Sequence, residues 1–582
     1  MTTQPVLNPS DGLPGKPGTR RGNGAFWRDG WTYGALAIAG LAALPILAVI
    51  FIAFTPGDDI WSHLATTVLP GYIITTLQLM AGVGAGTLLI GVSAAWLITM
   101  CRFPGRRLFE WAMLLPMAMP AYVIAYVYTD ILEFAGPVQE MLRDTFGWNN
   151  RRDYWFPEIR STGGAMAMLT LVLYPYVYLL ARAAFLEQSV GVLEASRSLG
   201  RGPWRSFFTV ALPLARPGIV IGVSFALMET LNDFGTVDFF AVNTFTQGIF
   251  DVWMNMNNIA GAAQLASVLL LFVAVLVLSE RYARRRQRFH HTTSKYQPLP
   301  AYHLGGVRGG LATAFCAVTV LLGFGLPTIV LLAYARQYFD PVLAREILGH
   351  AVNSVQLAAL AGFLAMVVAI ILAYSVRIKG GRLLTAISRM AAFGYAVPGA
   401  VLAVGVMVVL GQFDNRLDGF MRDSFGISTG LLFSGTIAAV TFGYLVRFLA
   451  LSLGTVEAGL GKITPSMDGA ARSLGRGALG TMYRIHLPLM RGSVLTAVLL
   501  VFVDCMKELP MTIILRPFNF QTLATFVHQY ASDEQLGEAA LAALSIVGVG
   551  VLPVILLSLT IARSRPGHGA EPAAAQPIGR EA

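Results

Sequence analysis

The chain has 582 residues, of which 55% are hydrophobic and 13% charged, and its mean hydropathy is +0.62. A soluble protein of this length would form several domains, but here nearly charge-free runs of roughly 20 residues recur along the chain, each long enough to cross a bilayer. The net charge of +10 does not indicate nucleic acid as a partner, because the basic residues lie in short clusters between apolar runs. The three cysteines are far apart in sequence, which excludes a disulfide framework and a CxxC metal site.

The first half of the chain is predicted to contain six membrane-spanning helices behind a polar tail. Residues 1–31 form this tail, which we expect to be cytoplasmic, and the apolar run after it is too long for the hydrophobic region of a signal peptide. The predicted spans cover residues 32–54, 71–99, 109–131, 163–186, 217–239 and 262–280. A basic linker at 281–308, also predicted to be cytoplasmic, follows them.

The second half repeats this organisation. Its predicted spans cover residues 309–335, 351–376, 387–411, 429–453, 492–515 and 539–562, followed by a tail at 563–582. If both termini are cytoplasmic, Lys and Arg favour the segments on that side by about three to one, as the positive-inside rule expects. The sequence therefore predicts an all-α polytopic membrane protein with about twelve transmembrane helices, whose partner is the lipid bilayer.

Two stretches 275 residues apart show that the halves are homologous. Residues 194–218 read EASRSLGRGPWRSFFTVALPLARPG, and residues 469–493 read GAARSLGRGALGTMYRIHLPLMRGS. Because each half holds an even number of spans, the two repeats have the same orientation in the membrane. We therefore predict two parallel-repeat six-helix bundles, with membrane domains at 32–280 and 309–562 and a pathway between them.

The repeated stretch has the composition of a short helix that docks into another protein. In chain order its shared features are Ala195, Ser196, Gly200, Leu212 and Pro213 in the first copy and Ala470, Ala471, Gly475, Leu487 and Pro488 in the second. Small side chains let a partner approach, each glycine is placed to end the helix in a left-handed cap, and each proline is expected to restart the chain into the next span. A loop that only anchors itself at the membrane interface is the alternative, but duplication at fixed spacing favours docking into a two-fold partner.

This loop resembles the EAA loop of binding-protein-dependent ABC importer permeases, with the pattern Glu-Ala-Ala, three residues, Gly, nine residues, Ile-x-Leu-Pro. Glu194 takes the first position of the first copy, and Ser196 replaces the second Ala. In the second copy Gly469 takes the Glu position, and Asp468 beside it is the alternative source of that carboxylate. The resemblance implies that each loop is a coupling helix seated in an ATPase subunit. One chain would then bind two ATPase subunits, which hold ATP and Mg, while this chain binds no cofactor and is not an enzyme.

A narrower resemblance covers nearly the whole chain except its tails. The stretches that begin at Glu229 and Lys507 resemble the fused ferric-iron permeases, which implies ferric iron delivered by a periplasmic binding protein across a bacterial inner membrane. Thiamine or a polyamine are the alternative substrates within the same class. An ion-coupled secondary transporter would explain the repeat but not the paired docking loops, and a scaffold or channel would not need them. The sequence contains no GxxxxGK[ST] motif, which agrees with a separate ATPase.

Four acidic residues in apolar surroundings are candidates for lining the pathway. The 275-residue shift pairs Glu229 with Asp504 and Asp233 with Glu508, and the i,i+4 spacing predicts that each half presents both carboxylates on one helix face. A carboxylate at this depth in the membrane costs free energy unless it is paired or faces a cavity. We therefore expect these four carboxylates to line the pathway and to attract a hard, oxygen-seeking cation. The alternative is structural, with Lys507 neutralising a carboxylate. No stable metal site is expected, because an importer must release its ion.

Overall fold

The computed structural model describes residues 30–55, 60–186, 196, 198–199, 202–285 and 302–563. Nearly all of the predicted tails at 1–31 and 563–582 and most of the predicted linker at 281–308 therefore lie outside the described residues. Within the described residues, ten helices are long and apolar enough to cross a membrane, and two bent helix pairs raise the number to twelve. The prediction of about twelve spans is confirmed.

We number the spans in chain order. In the first half they are span 1, Gly30–Ala53; span 2, Leu69–Met100; span 3, Arg106–Ala112, the 3-10 turn Leu115–Ala118 and Ala121–Leu132; span 4, Thr162–Leu186; span 5, Leu212–Asn232; and span 6, Ile259–Arg285. The shorter helices of this half are Ile60–Thr67, Pro137–Phe146, Pro203–Ser206, the π-helix Phe207–Ala211, Gly235–Phe239, Phe245–Phe250 and the π-helix Asp251–Asn255.

In the second half the spans are span 7, Gly306–Val320, the π-helix Leu321–Gly325 and Leu326–Gln337; span 8, Pro341–Lys379; span 9, Gly399–Phe425; span 10, Ile437–Gly461; span 11, Arg491–Lys507; and span 12, Leu536–Arg563. The shorter helices are Arg382–Ala391, the 3-10 turn Ala392–Ala396, Pro465–Ser473, Ala478–Thr481, the π-helix Met482–His486, Leu487–Leu489, Pro510–Leu515 and Leu523–Ser532.

Prolines set where the third span of each half breaks. Span 3, predicted as one helix over 109–131, bends by 91° near Pro120, and span 9 begins after a 3-10 turn and Pro398. A proline lacks the amide hydrogen of a helix interior and clashes with the preceding turn, so the helix cannot run through it. These breaks leave backbone amides free to bond to other groups at the boundary between the halves.

The packing repeats between the halves. Spans 2, 4 and 5 pack on one another in the first half, and spans 8, 10 and 11 do so in the second. This agreement follows from the homology of the two halves, and it makes positions 275 residues apart comparable in space.

The first span of each half packs on the other half. Span 1 lies against span 9. At this contact Gly405 of span 9 is so close to span 1 that a Cβ on it would collide with the carbonyl oxygen of Pro45. Span 7 lies against spans 3 and 4, where Gly323 approaches the carbonyl of Leu171. Missing side chains let helix backbones approach closely in lipid. Buried apolar residues accordingly form two clusters, a large one and a smaller one, and each of them contains residues of both halves.

Two short strands join the halves outside the spans. Cys101 and Arg102, directly after span 2, pair in parallel with Tyr302 and His303, directly before span 7. The amide of Leu304 adds a hydrogen bond of 3.0 Å to the carbonyl of Arg102. The chain that enters the second half is therefore fixed to the end of span 2.

Candidate translocation cavity and docking loops

Spans 5 and 11 end at equivalent positions, and an acidic residue follows each end. Span 5 ends at Asn232 and span 11 at Lys507, while Asp233 and Glu508 have extended backbone. The prediction that each half presents two carboxylates on one helix face is therefore wrong. The helix stops because the chain turns into the next short helix, and the acidic residue at the turn bonds to that helix instead.

Asp233 and Glu508 cap the short helices that follow them. Asp233 accepts hydrogen bonds from the amides of Thr236 (3.1 Å) and Val237 (3.2 Å), and its second oxygen accepts from the hydroxyl of Thr236 (3.0 Å). Glu508 likewise accepts from the amide (3.0 Å) and the hydroxyl (2.7 Å) of Thr512. A side-chain oxygen at this point satisfies amides that have no partner within the helix. Both carboxylates thus have structural partners in their own half.

Glu229 and Asp504 lie within the last turn of spans 5 and 11. Oε1 of Glu229 accepts a hydrogen bond of 3.2 Å from the hydroxyl of Tyr395, which belongs to the other half. Oδ1 of Asp504 lies 3.1 Å from Nζ of Lys507 on the same helix. Lys507 therefore neutralises Asp504, whereas Glu229 bonds to an uncharged group.

All four carboxylates line one cavity of about 110 Å³ between the halves. Lys507 and Arg447 also line it, so four carboxylates face two cations. The remaining walls come mainly from spans 3 and 4 and are largely apolar. A space of this size accommodates several water molecules or a small solute. Among the described residues, no three His, Cys, Asp or Glu side chains are close enough together to hold a metal ion.

Arg447 ties the two halves together beside this cavity. Its Nη1 donates hydrogen bonds to Oδ1 of Asn232 (2.8 Å) and to the carbonyl of Val397 (3.3 Å). The same oxygen of Asn232 accepts from the amide of Gly399 (2.7 Å), one of the amides that the break before span 9 leaves free. The end of span 5 is thereby held against spans 9 and 10.

The second docking loop contains a short helix that ends at a glycine with left-handed backbone conformation. The helix Pro465–Ser473 exposes Ala470 and buries Ala471. Gly475 has φ of +74°, and the amide of Arg476 bonds to the carbonyl of Ala471 at 2.9 Å. This is the cap that the sequence predicts for Gly475, because a residue without a Cβ adopts positive φ without strain.

Asp468 holds this helix to the membrane domain. Its carboxylate accepts a hydrogen bond from Nε of Arg377 (3.0 Å), at the end of span 8, and lies 2.7 Å from Nε2 of His486. Arg377 also donates to the carbonyls of Leu460 (2.6 Å) and Ile463 (3.0 Å). Although partial burial opposes ionisation, the hydrogen bonds from Arg377 and His486 hold the pKa of Asp468 below its usual value. The carboxylate beside Gly469 is therefore engaged within the chain.

Five residues of the first docking loop, 194–218, lie outside the described residues, and Glu194, Ala195 and Gly200 are among them. Ser196 is described and is buried, and its hydroxyl lies 2.8 Å from that of Ser206. Ser196 and Ser206 correspond to Ala471 and Thr481 of the second loop, and both of these are buried as well. The inner faces of the two loops therefore match where both are described.

The Leu-Pro pairs follow π-helical turns in both loops. Leu212 and Pro213 come after the π-helix Phe207–Ala211, and Leu487 and Pro488 come after Met482–His486. The expectation that Pro213 restarts the chain after a break is wrong, because helical structure runs without interruption from Pro203 into span 5. The wider π turn relieves the clash that a proline ring causes with the preceding turn. In the second loop the helix bends by 78° just after Leu489, before span 11.

Both loops expose large apolar side chains at equivalent positions. In the first loop these are Leu199, Trp204 and Phe208, and in the second they are Leu474, Leu479 and Tyr483. Members of each pair are 275 residues apart. Leu199 and Leu474, next to the glycine positions, are 77% and 80% exposed. Sequence reasoning missed these residues, although the repeat alignment contained the signal.

Arg447, Asn232 and Tyr395 were also missed at the cavity. Arg447 is a single basic residue within an apolar run, which is a signal for function in a membrane helix. The bond between Arg447 and Asn232 joins residues 215 positions apart, so only the structure reveals it.

Comparison with known proteins agrees with this geometry. Residues 87–289 match the family described as binding-protein-dependent transport system inner membrane component. The chain is 26% identical to the Fe(3+)-transport system permease protein FbpB 2 of Haemophilus influenzae over 83% of this chain and 88% of that protein. It is 23% identical to the ferric transport system permease protein FbpB of Actinobacillus pleuropneumoniae, over 88% and 75%.

A shorter relative covers one part of the chain. The molybdenum transport system permease protein ModB of Escherichia coli is 30% identical over 33% of this chain and 84% of its own length. Together with the twelve spans and the duplicated loop, these matches establish that the chain belongs to the family of binding-protein-dependent transport system inner membrane components.

Proposed function

We propose that this chain is the permease subunit of an ATP-driven ABC importer and that it translocates ferric iron. The duplicated docking loop supports the proposal that ATP drives transport, because both copies expose apolar side chains at the same three positions of the repeat. A pair of equivalent surfaces fits two copies of one partner, so each loop seats one ATPase subunit. The ATPase subunits supply ATP and Mg, and the chain itself binds no cofactor and performs no hydrolysis.

The proposal of ferric iron rests on two observations. Relatives named for ferric or Fe(3+) transport match across 83% and 88% of the chain. The cavity between the halves is lined by four carboxylates, whose oxygens suit a hard cation in transit. Most of them already have partners, so they form an electrostatic lining rather than a stable site, and a periplasmic ferric-binding protein delivers the ion.

The orientation follows from the docking loops and the charge distribution. If the ATPase subunits bind the loops in the cytoplasm, the even number of spans between each loop and the chain ends places both termini there as well. The Lys and Arg bias of about three to one agrees with this orientation. The tail at 1–31, the linker at 281–308 and the tail at 563–582 are then cytoplasmic, and 32–280 and 309–562 are the two permease domains.

Replacing the exposed leucines tests the docking role. We expect the double variant Leu199→Asp and Leu474→Asp to lose co-purification of the ATPase and uptake of radioactive ferric iron by cells, because buried unpaired carboxylates oppose docking. The double variant Leu199→Met and Leu474→Met retains an apolar surface and serves as the control. Normal ATPase binding by the Asp variant, at normal membrane levels, would refute the docking role.

A further inference from the structure

Glu229 has the fewest partners of the four carboxylates that line the cavity. The other three accept hydrogen bonds from helix amides or are paired with Lys507. Glu229 instead accepts one hydrogen bond, of 3.2 Å, from the uncharged hydroxyl of Tyr395, and no ion pair among the described residues includes it. An ionised carboxylate has room for about four hydrogen bonds, so most of its capacity as an acceptor is unused.

The second oxygen of this carboxylate is accessible to a solute. Glu229 lines the cavity, and its side chain is only partly buried. Its Oε2 accepts no hydrogen bond from the described residues, and it is not one of the side-chain atoms that are buried without a partner. Because an unpaired carboxylate within a membrane helix costs free energy unless a cavity or a cation serves it, this oxygen marks a point where a cation is stabilised.

The repeat explains why Glu229 lacks a basic partner. Its counterpart Asp504 is followed three positions later by Lys507, one helical turn away, and the two side chains form an ion pair. The residue three positions after Glu229 is Asn232, which carries no charge and whose side-chain oxygen bonds to the second half. Two equivalent carboxylates therefore differ, because one is neutralised within its own helix and the other remains available.

The charge of the cavity favours a cation at this carboxylate. Four carboxylates and two basic side chains line it, so acidic groups outnumber basic ones by two. Carboxylate oxygens are hard ligands and bind hard cations such as ferric iron. One accessible carboxylate without a complete set of ligands holds such an ion only briefly, which suits a protein that must release what it carries.

We propose that Glu229 contacts the transported cation directly, through Oε2, and that its counterpart Asp504 does not. Tyr395 holds Oε1 from the second half, so it positions the carboxylate without neutralising it. This inference rests on the proposed function and deepens it, because it assigns the contact to one carboxylate of a lining that otherwise acts through its charge. Transport should therefore depend on where the carboxylate at position 229 lies, and not only on its charge.

Variants of nearly equal size test the contact in proteoliposomes that contain the chain with its ATPase. The maximal rate of ⁵⁵Fe uptake and the half-saturating concentration of the iron-loaded binding protein are measured. We expect Glu229→Gln, which can still accept the bond from Tyr395, to lower the maximal rate about tenfold or more, or about 1.4 kcal/mol, with little change in the half-saturating concentration. Asp504→Asn removes the same charge from the cavity and should lower the rate much less. Asp423→Asn, at an exposed site near the end of span 9, should leave it unchanged.

A second pair of variants moves a carboxylate without changing its charge. Glu229→Asp withdraws the carboxylate by one methylene group and should lower the maximal rate several-fold, because a direct contact depends on reach. Asp504→Glu should lower it less, because its carboxylate can still pair with Lys507. These variants keep the charge of the cavity and the chemistry of the side chain, so they decide the question even where Glu229→Gln fails to assemble.

The outcomes separate this inference from the proposed function. Equal losses for assembled Glu229→Gln and Asp504→Asn transporters would overturn the contact and leave iron import along a charged lining intact. A wild-type maximal rate for an assembled Glu229→Asp transporter would overturn it as well. No ⁵⁵Fe uptake by an assembled wild-type transporter would instead refute the proposed substrate.

Discussion

Removing the cation at Lys507 should destabilise the protein by exposing an uncompensated carboxylate to the membrane interior. Nζ lies 3.1 Å from Oδ1 of Asp504, and the two side chains are 27% and 24% exposed. An exposed ion pair contributes about 0–1 kcal/mol, whereas breaking a fully buried pair costs about 3–5 kcal/mol. Because the cavity hydrates this pair in part, we expect Lys507→Met to lower the free energy of unfolding by about 2–4 kcal/mol.

A double-mutant cycle measures this effect. The wild type, Lys507→Met, Asp504→Asn and the double variant are purified in detergent, and their unfolding by denaturant is followed. The double variant should recover much of the stability lost in Lys507→Met, because it removes the unpaired charge together with its partner. Arg422→Met breaks the ion pair with Asp418, in which Arg422 is 60% exposed, and should cost less than about 1 kcal/mol.

Two results would refute this reasoning. One is a decrease in the free energy of unfolding for Lys507→Met that is no larger than the decrease for Arg422→Met. The other is a double variant as unstable as Lys507→Met alone. Either would mean that Lys507 does not neutralise Asp504, and the charge balance assigned to the cavity would then be wrong.

Three further predictions concern the docking loop and the packing of the halves. Because the pKa of Asp468 is lowered in the folded protein, its stabilising bonds are present at neutral pH and are lost as pH falls through that lowered value. The protection of the amides in 465–473, measured relative to their intrinsic exchange rate at each pH, should therefore fall with acidification, and Asp468→Asn should abolish this fall. Gly475→Leu places a side chain at positive φ, at a cost of about 1–2 kcal/mol, and should weaken ATPase co-purification, whereas Gly477→Leu, at φ of −70° and in open space, should not. Gly405→Ala inserts a Cβ against the backbone of span 1 and should reduce the yield of folded protein, while Gly411→Ala, with nothing near its Cβ, should be neutral. Equal behaviour within either glycine pair would contradict the packing described.

The spans and the docking loops could be predicted because their signals are local. A run of apolar residues must form a helix in lipid to satisfy its backbone, and a glycine after a short helix marks a cap. The duplication added a second copy of each signal, so Gly475 could be assigned before its φ of +74° was known.

The interior of the cavity could not be predicted in the same way. The i,i+4 spacing of Glu229 and Asp233 indicated one helix face, but the helix ends at Asn232 and Asp233 caps the next one. Proline breaks and carboxylate caps depend on where the chain turns, which the apolar pattern does not show. The bonds of Arg447 and Tyr395 cross between the halves, so they depend on tertiary packing alone.

The most direct test of the account is ⁵⁵Fe uptake by proteoliposomes that contain the chain with its ATPase and receive iron from the binding protein. The account predicts uptake that requires ATP on the ATPase side, survives collapse of ion gradients by ionophores, and is lost when Leu199 and Leu474 are both changed to Asp. Uptake that follows an ion gradient and persists without ATP would contradict it and would indicate an ion-coupled secondary transporter.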